Sequence, residues 1–187
     1  MRNCFVVTAV AVLVAVTAPS ALRAQLQSTE KPVALQVTGG AMFPVFNYAD
    51  YTKGTGWKAG GALVVRRGDY YHIRLEGEYN SVGSDLSSGG TFEAYGAGIG
   101  GGRVVSRGTA KQEGYFVAGG YQWKGQLCTG IGGGNCSDYS EWQFGTKVGA
   151  NAIFGRGKAK FVLDFHWLYT WSEPYVNLLA ITGGLRF

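Results

Sequence analysis

The chain has 187 residues, of which 31 are glycine and only 4 proline; 46% are hydrophobic, 14% aromatic and 16% charged. That length fits one domain. The aromatic content excludes a disordered chain, and the absence of a Gly-X-Y period excludes collagen. Glycine disfavours helix interiors, so the composition points to an all-β protein with many crowded or sharply turning positions.

The N-terminus reads as a targeting segment. Arg2 supplies a short positive region, and Phe5 to Ala18 is nearly unbroken apolar sequence. A cleavage-competent stretch follows, with Ala24 the expected last residue of a signal peptide spanning 1–24. Val16-Thr17-Ala18 also looks cleavable, but Pro19 follows it. Cys4 precedes the apolar run and so is not a lipoprotein cysteine. Residues 25–32 form a short polar leader, and 33–187 are expected to be one β-barrel domain. The mature chain is only weakly basic, which does not suggest nucleic acid as a partner. No second apolar run is long enough for a membrane helix, but a closed barrel crosses without one.

From Val33 the pattern has period two, interrupted by seven turn-like clusters. Strands are expected near 33–43, 56–66, 70–80, 92–104, 113–123, 140–154, 159–171 and 175–187. The third sets Tyr71, Ile73, Leu75 and Tyr79 against His72, Arg74, Glu76 and Glu78. In the seventh, Phe161, Leu163, Phe165, Trp167, Tyr169 and Trp171 alternate with Lys160, Val162, Asp164, His166, Leu168 and Thr170. Successive strand side chains point to opposite faces. One face is therefore apolar and the other largely polar.

Three connections are short and basic, around Arg66-Arg67-Gly68-Asp69, Ser106-Arg107-Gly108-Thr109 and Gly155-Arg156-Gly157-Lys158. Those between them are mostly longer. Aromatic residues gather near strand ends. Trp57, Trp123, Trp142, Trp167, Trp171 and Tyr175 are expected in an aromatic girdle near the long-loop end, and Tyr71, Tyr115, Phe154 and Phe161 near the short-turn end. On the polar face Lys58, Arg74 and Lys147 balance Glu76, Glu78 and Asp164, with His166 beside Asp164. A narrow enclosed interior needs that balance and a water-facing surface does not. The fourth strand places Ala94, Gly96, Gly98, Gly100 and Gly102 on one face, bare backbone for long ionic neighbours. These features together predict an eight-stranded antiparallel up-and-down transmembrane β-barrel with a polar, largely plugged lumen.

Signal peptide, eight amphipathic strands, girdles and the closing segment Tyr175-Val-Asn-Leu-Leu-Ala-Ile-Thr-Gly-Gly-Leu-Arg-Phe187 resemble the small outer-membrane β-barrels of the OmpA/OmpX type. The resemblance implies a cell outer-membrane location, lipid contact, and Phe187 as the signal read by the barrel-assembly machinery. It implies a monomer working structurally or through extracellular loops that touch a ligand or surface.

No catalytic centre, cofactor or metal is expected. Outer-membrane lipid A deacylases need a lipid-facing His with Ser two residues on, but Leu168 stands two after His166. Palmitoyltransferases place a His in the outer loops, and His72 is near a short turn. Cys128 and Cys136, in an exported chain, suggest one disulfide; a zinc pair is the rival, with no His nearby. A narrow channel for small solutes or ions is the second functional reading. A soluble lipocalin-like binder is the third, on the Gly54-Thr-Gly-Trp57 echo.

Overall fold

A computed structural model describes residues 32–45, 52–84, 91–107, 110–129, 135–155, 157–171 and 175–187. The expected signal peptide and most of the leader lie outside the described residues.

Eight strands follow one another: β1 Val33–Pro44, β2 Thr52–Arg67, β3 Tyr71–Ser84, β4 Thr91–Arg107, β5 Lys111–Thr129, β6 Asn135–Phe154, β7 Lys160–Thr170 and β8 Asn177–Arg186. Each pairs antiparallel with the next, and β8 returns to β1 to close the barrel. Closure removes sheet edges along the cylinder, so its backbone groups are satisfied internally. The β2–β3, β4–β5 and β6–β7 turns share one end with the start of β1 and the end of β8. That end is called the short-turn end below, and the opposite one the loop end.

The alternation sets which side faces out. Leu35, Ile99, Phe144, Phe165 and Ile181 are about half exposed on the outer wall, while Lys58, Lys147 and Asp164 are 3% exposed or less inside it. An outer surface of large apolar side chains continuous around a cylinder is far beyond what a water-soluble monomer exposes.

The fourth strand faces as its glycines suggest. Gly96, Gly98, Gly100 and Gly102 stand opposite Glu78, Glu76, Arg74 and His72 of β3. The space over them is taken mainly by β5 rather than by the ionic side chains: a Cβ on Gly96 would sit 2.3 Å from the Tyr121 ring and one on Gly98 2.7 Å from Val117 Cγ1, while one on Gly102 would sit 2.6 Å from the His72 ring.

Two features differ from the sequence expectation. Of the segment 124–139, expected to be a long loop, 124–129 and 135–139 instead continue the hairpin. β5 and β6 stay paired from Lys124–Ser140 up to Thr129–Asn135. Short polar and glycine residues there look like loop sequence, but the pairing is carried by backbone groups that every residue supplies. Trp123, assigned to the girdle, is inside the barrel and 2% exposed. Tyr115 is inside as well. On β5 both faces are apolar, Tyr115, Val117, Tyr121 and Trp123 alternating with Phe116, Ala118 and Gly120, so position near a strand end was a poor guide to side.

Candidate functional site: the layered lumen

The seven residues assigned to the polar lumen come from four strands and meet in one layer. Lys58 on β2 donates from Nζ to Glu78 Oε2 at 2.8 Å. Lys147 on β6 reaches across to both Glu76 and Glu78. Arg74 Nε donates to Glu76 Oε2 at 2.7 Å, and its guanidinium lies 4.4 Å from the centre of the Tyr115 ring. Tyr115 donates its hydroxyl to Asp164 Oδ1 at 2.7 Å. His166 sits between Lys58 and Asp164, with Nε2 2.7 Å from Lys58 Nζ and Nδ1 2.6 Å from Asp164 Oδ2. Thr182 adds a hydroxyl donor to the same carboxylate at 3.3 Å. Three cations thus face three carboxylates, the condition that makes a buried charged layer tolerable.

Toward the short-turn end lies a second cluster that the sequence reading did not assemble. Arg186 donates from Nη1 to Glu113 Oε2 at 2.8 Å, and from Nη2 and Nε to Gln36 Oε1 at 2.6 and 3.1 Å. Lys111 Nζ is 2.9 Å from Glu113 Oε1. The available signal was that Arg186 shares the inward parity of Thr182 and Gly184. Its partner, however, is 73 residues away and opposite in the barrel.

Toward the loop end the lumen turns apolar, a departure from the expected polar interior. Met42, Val82, Tyr121, Trp123, Leu168 and Leu178 form one buried cluster. The two strands that contribute no buried side chain to it are covered by their neighbours. A Cβ on Gly56 of β2 would lie 2.9 Å from Val82 Cγ2, and one on Gly145 of β6 would lie 3.0 Å from the Tyr121 ring. Sequence reasoning put Ala94 and Leu168 on the inward face but missed this layer, because it read Trp123 as outward-facing and the interior as polar.

The barrel is therefore filled. Within the ionic layer a gap of about 10 Å³, lined by residues including Lys58, Glu76, Glu78, Lys147, Asp164 and His166, remains. That is about the space of one water molecule. His166 and Asp164 have the residue types of an acid–base pair, but both are buried, and their polar atoms are occupied by Lys58, Tyr115 and Thr182. Among the described residues no three of His, Cys, Asp and Glu gather as a metal site.

On the outer wall Trp57, Trp142, Trp171 and Tyr175 are exposed toward the loop end, and Trp167 is half-buried against Tyr169. Tyr169 stacks on Tyr175 with centroids 6.1 Å apart and meets Trp171 edge-on at 5.2 Å. Phe187 is half-exposed at the β1–β8 seam, where its N–H donates to Leu35 O at 2.8 Å. Cys128 and Cys136 stand directly opposite each other in the β5–β6 register; their side chains are not among those described.

No protein-family model and no curated protein matches the chain. Among solved structures it is similar to Neisserial surface protein A, at 13% identity and a TM-score of 0.56, over 83% of this chain and 96% of that one. It is also similar to a major outer membrane protein from Thermus thermophilus, at 13% identity and a TM-score of 0.54, over 84% and 99% of the two chains. The chain has the fold of the eight-stranded outer-membrane β-barrels.

Proposed function

We propose that this chain is a non-enzymatic, monomeric outer-membrane barrel whose filled cylinder acts as a rigid mount for a protruding β5–β6 hairpin that engages an extracellular partner. Apolar side chains around the outer wall meet lipid, and the short turns face the periplasm, the usual sidedness of such barrels. The last strand, ending in Phe187, serves as the recognition segment for the assembly machinery.

The hairpin carries the interaction reading. β7 ends at Thr170, opposite Gly145, and the last bond on that side runs from Trp171 N to Phe144 O at 2.9 Å. Above it the β6 backbone from 135 to 143 continues with β5 on one side and no strand on the other among the described residues. Such an edge offers a row of main-chain donors and acceptors to an extended peptide.

The filled lumen argues against the channel reading, since among the described residues the ionic layer holds a water-sized gap and the layer beyond it is apolar. The lipocalin reading needs an apolar cavity inside, whereas here the charged side chains are inside. The test is a variant in which 126–138 are replaced by Asn-Gly. Gly125 and Tyr139 are opposite, so a two-residue turn closes the shortened hairpin. Washed outer membranes should retain this variant, and it should still run faster on gels unboiled than boiled. Cells displaying it should lose adhesion to surfaces that bind the intact protein. Equal adhesion of both forms would remove the hairpin from the reading. A protein washed out of the membrane would end the barrel reading itself.

A further inference from the structure

Tyr71 stands at the short-turn end of β3 on the outer wall, 60% exposed. The strand register places Arg67 of β2 opposite it on one side and Arg103 of β4 opposite it on the other. Arg103 holds its guanidinium carbon 5.8 Å from the centre of the Tyr71 ring, and Arg67 is exposed. Directly inboard of this row the wall is apolar, with Ile73 and Phe116 exposed. Two arginines therefore flank one aromatic ring where the greasy band ends.

The surrounding charge is mostly positive among the described residues. Lys158 is exposed and Lys160 half-buried at the same end. Glu113 is turned into the lumen against Arg186 and Lys111. Asp69, in the β2–β3 turn, is the one exposed acid of that end among the described residues. Among the described residues the loop end has the opposite bias, with Glu93, Asp138 and Glu141 against Lys53 and Lys124.

We propose that the Arg67–Tyr71–Arg103 row is a binding site for the phosphodiester headgroup of an anionic phospholipid in the leaflet at the short-turn end. The inference rests on the barrel spanning a membrane. A guanidinium presents paired donors that match two phosphate oxygens, which a lysine does not. An aromatic ring between two such forks suits the headgroup level, where amphipathic rings settle. The acyl chains then lie along Ile73 and Phe116. A zwitterionic lipid carries its own cation toward this basic end and is the poorer ligand.

The test is native mass spectrometry of the folded barrel in detergent, mixed with phosphatidylglycerol and phosphatidylcholine of identical acyl chains. Retained phosphatidylglycerol should exceed phosphatidylcholine by about tenfold, since each basic residue near an anionic surface contributes. R67Q/R103Q should bring the two lipids to near parity, with R67Q and R103Q each losing part of the preference. R67K/R103K should fall between wild type and the double glutamine variant, and K124Q, at the far end, should change nothing. Excess inorganic phosphate should leave the bound lipid in place; displacement would mark a free-anion site and overturn the proposal. So would an undiminished preference in R67Q/R103Q, or none in wild type. Boiled and unboiled mobility reports the barrel itself, so loss of the fold is read separately from loss of the headgroup site.

Discussion

Lys58 and His166 meet across the lumen from β2 and β7, Nζ to Nε2 at 2.7 Å. An ammonium group only donates, so Nε2 accepts, and the ring proton sits on Nδ1 and points to Asp164. The neutral imidazole thus bridges a cation and an anion. Losing it removes hydrogen bonds but leaves the layer's charges balanced. Losing Lys147 leaves three carboxylates facing two cations. Lys147→Met should destabilise the barrel by about 3–5 kcal/mol, and His166→Leu by about 1–3 kcal/mol. Urea unfolding in lipid vesicles measures both, and the reverse ranking would contradict the charge-balance account.

Gly96 lies under the Tyr121 ring, where an added Cβ would come within 2.3 Å of the ring edge. Gly96→Leu should cost about 1–3 kcal/mol from overpacking. Tyr121→Ala opens a cavity and should cost about 3–5 kcal/mol. In the double variant the new side chain occupies the vacated space, so the combined loss should be smaller than the sum. Simple additivity in the double-mutant cycle would mean the two positions do not touch.

The apolar layer around Trp123 and Leu178 is an expected barrier to ions, because dewetted constrictions block conduction without any charge. Wild type should be silent in planar bilayers. Trp123→Ala with Leu178→Ala should stay closed while the ionic layer below still fills the lumen, and should conduct once Arg74→Gln is added; Arg74→Gln alone should stay closed. Conductance in the arginine variant alone would move the barrier to the ionic layer.

Cys128 and Cys136 face each other in register. Directly opposite strand residues have Cα atoms about 4.5–5.5 Å apart, inside the range a disulfide spans. A bridge there is expected to resist maleimide until a reductant is added, and to stabilise the hairpin by about 2–3 kcal/mol. Immediate labelling of both thiols in protein purified from the outer membrane would rule the bridge out.

β7 was readable because its two faces differ in chemistry along most of its length, Phe161, Leu163 and Phe165 against Asp164 and His166. Parity then carried Lys58, Arg74 and Lys147 into the same interior as Glu76, Glu78 and Asp164. β5 was not readable in the same way, since Phe116 and Val117 are equally apolar and only a three-dimensional neighbour tells them apart. Trp123 was misplaced for that reason. The Glu113–Arg186–Gln36 cluster escaped because barrel stagger decides which rungs meet across the lumen, and stagger leaves no trace in a single strand. The reach of the hairpin was hidden because pairing beyond Trp123 depends on backbone geometry rather than on side-chain pattern.

The seam between β1 and β8, held at one end by the reciprocal bonds of Leu35 and Phe187, joins the two remotest parts of the barrel chain, while every other seam joins consecutive strands. The opening and closing strands therefore start and finish side by side at one rim. A circular permutant, with that rim bridged by a short linker and new termini cut into the β3–β4 connection, should trace the same cylinder. Its sealing step would then fall between β3 and β4 instead.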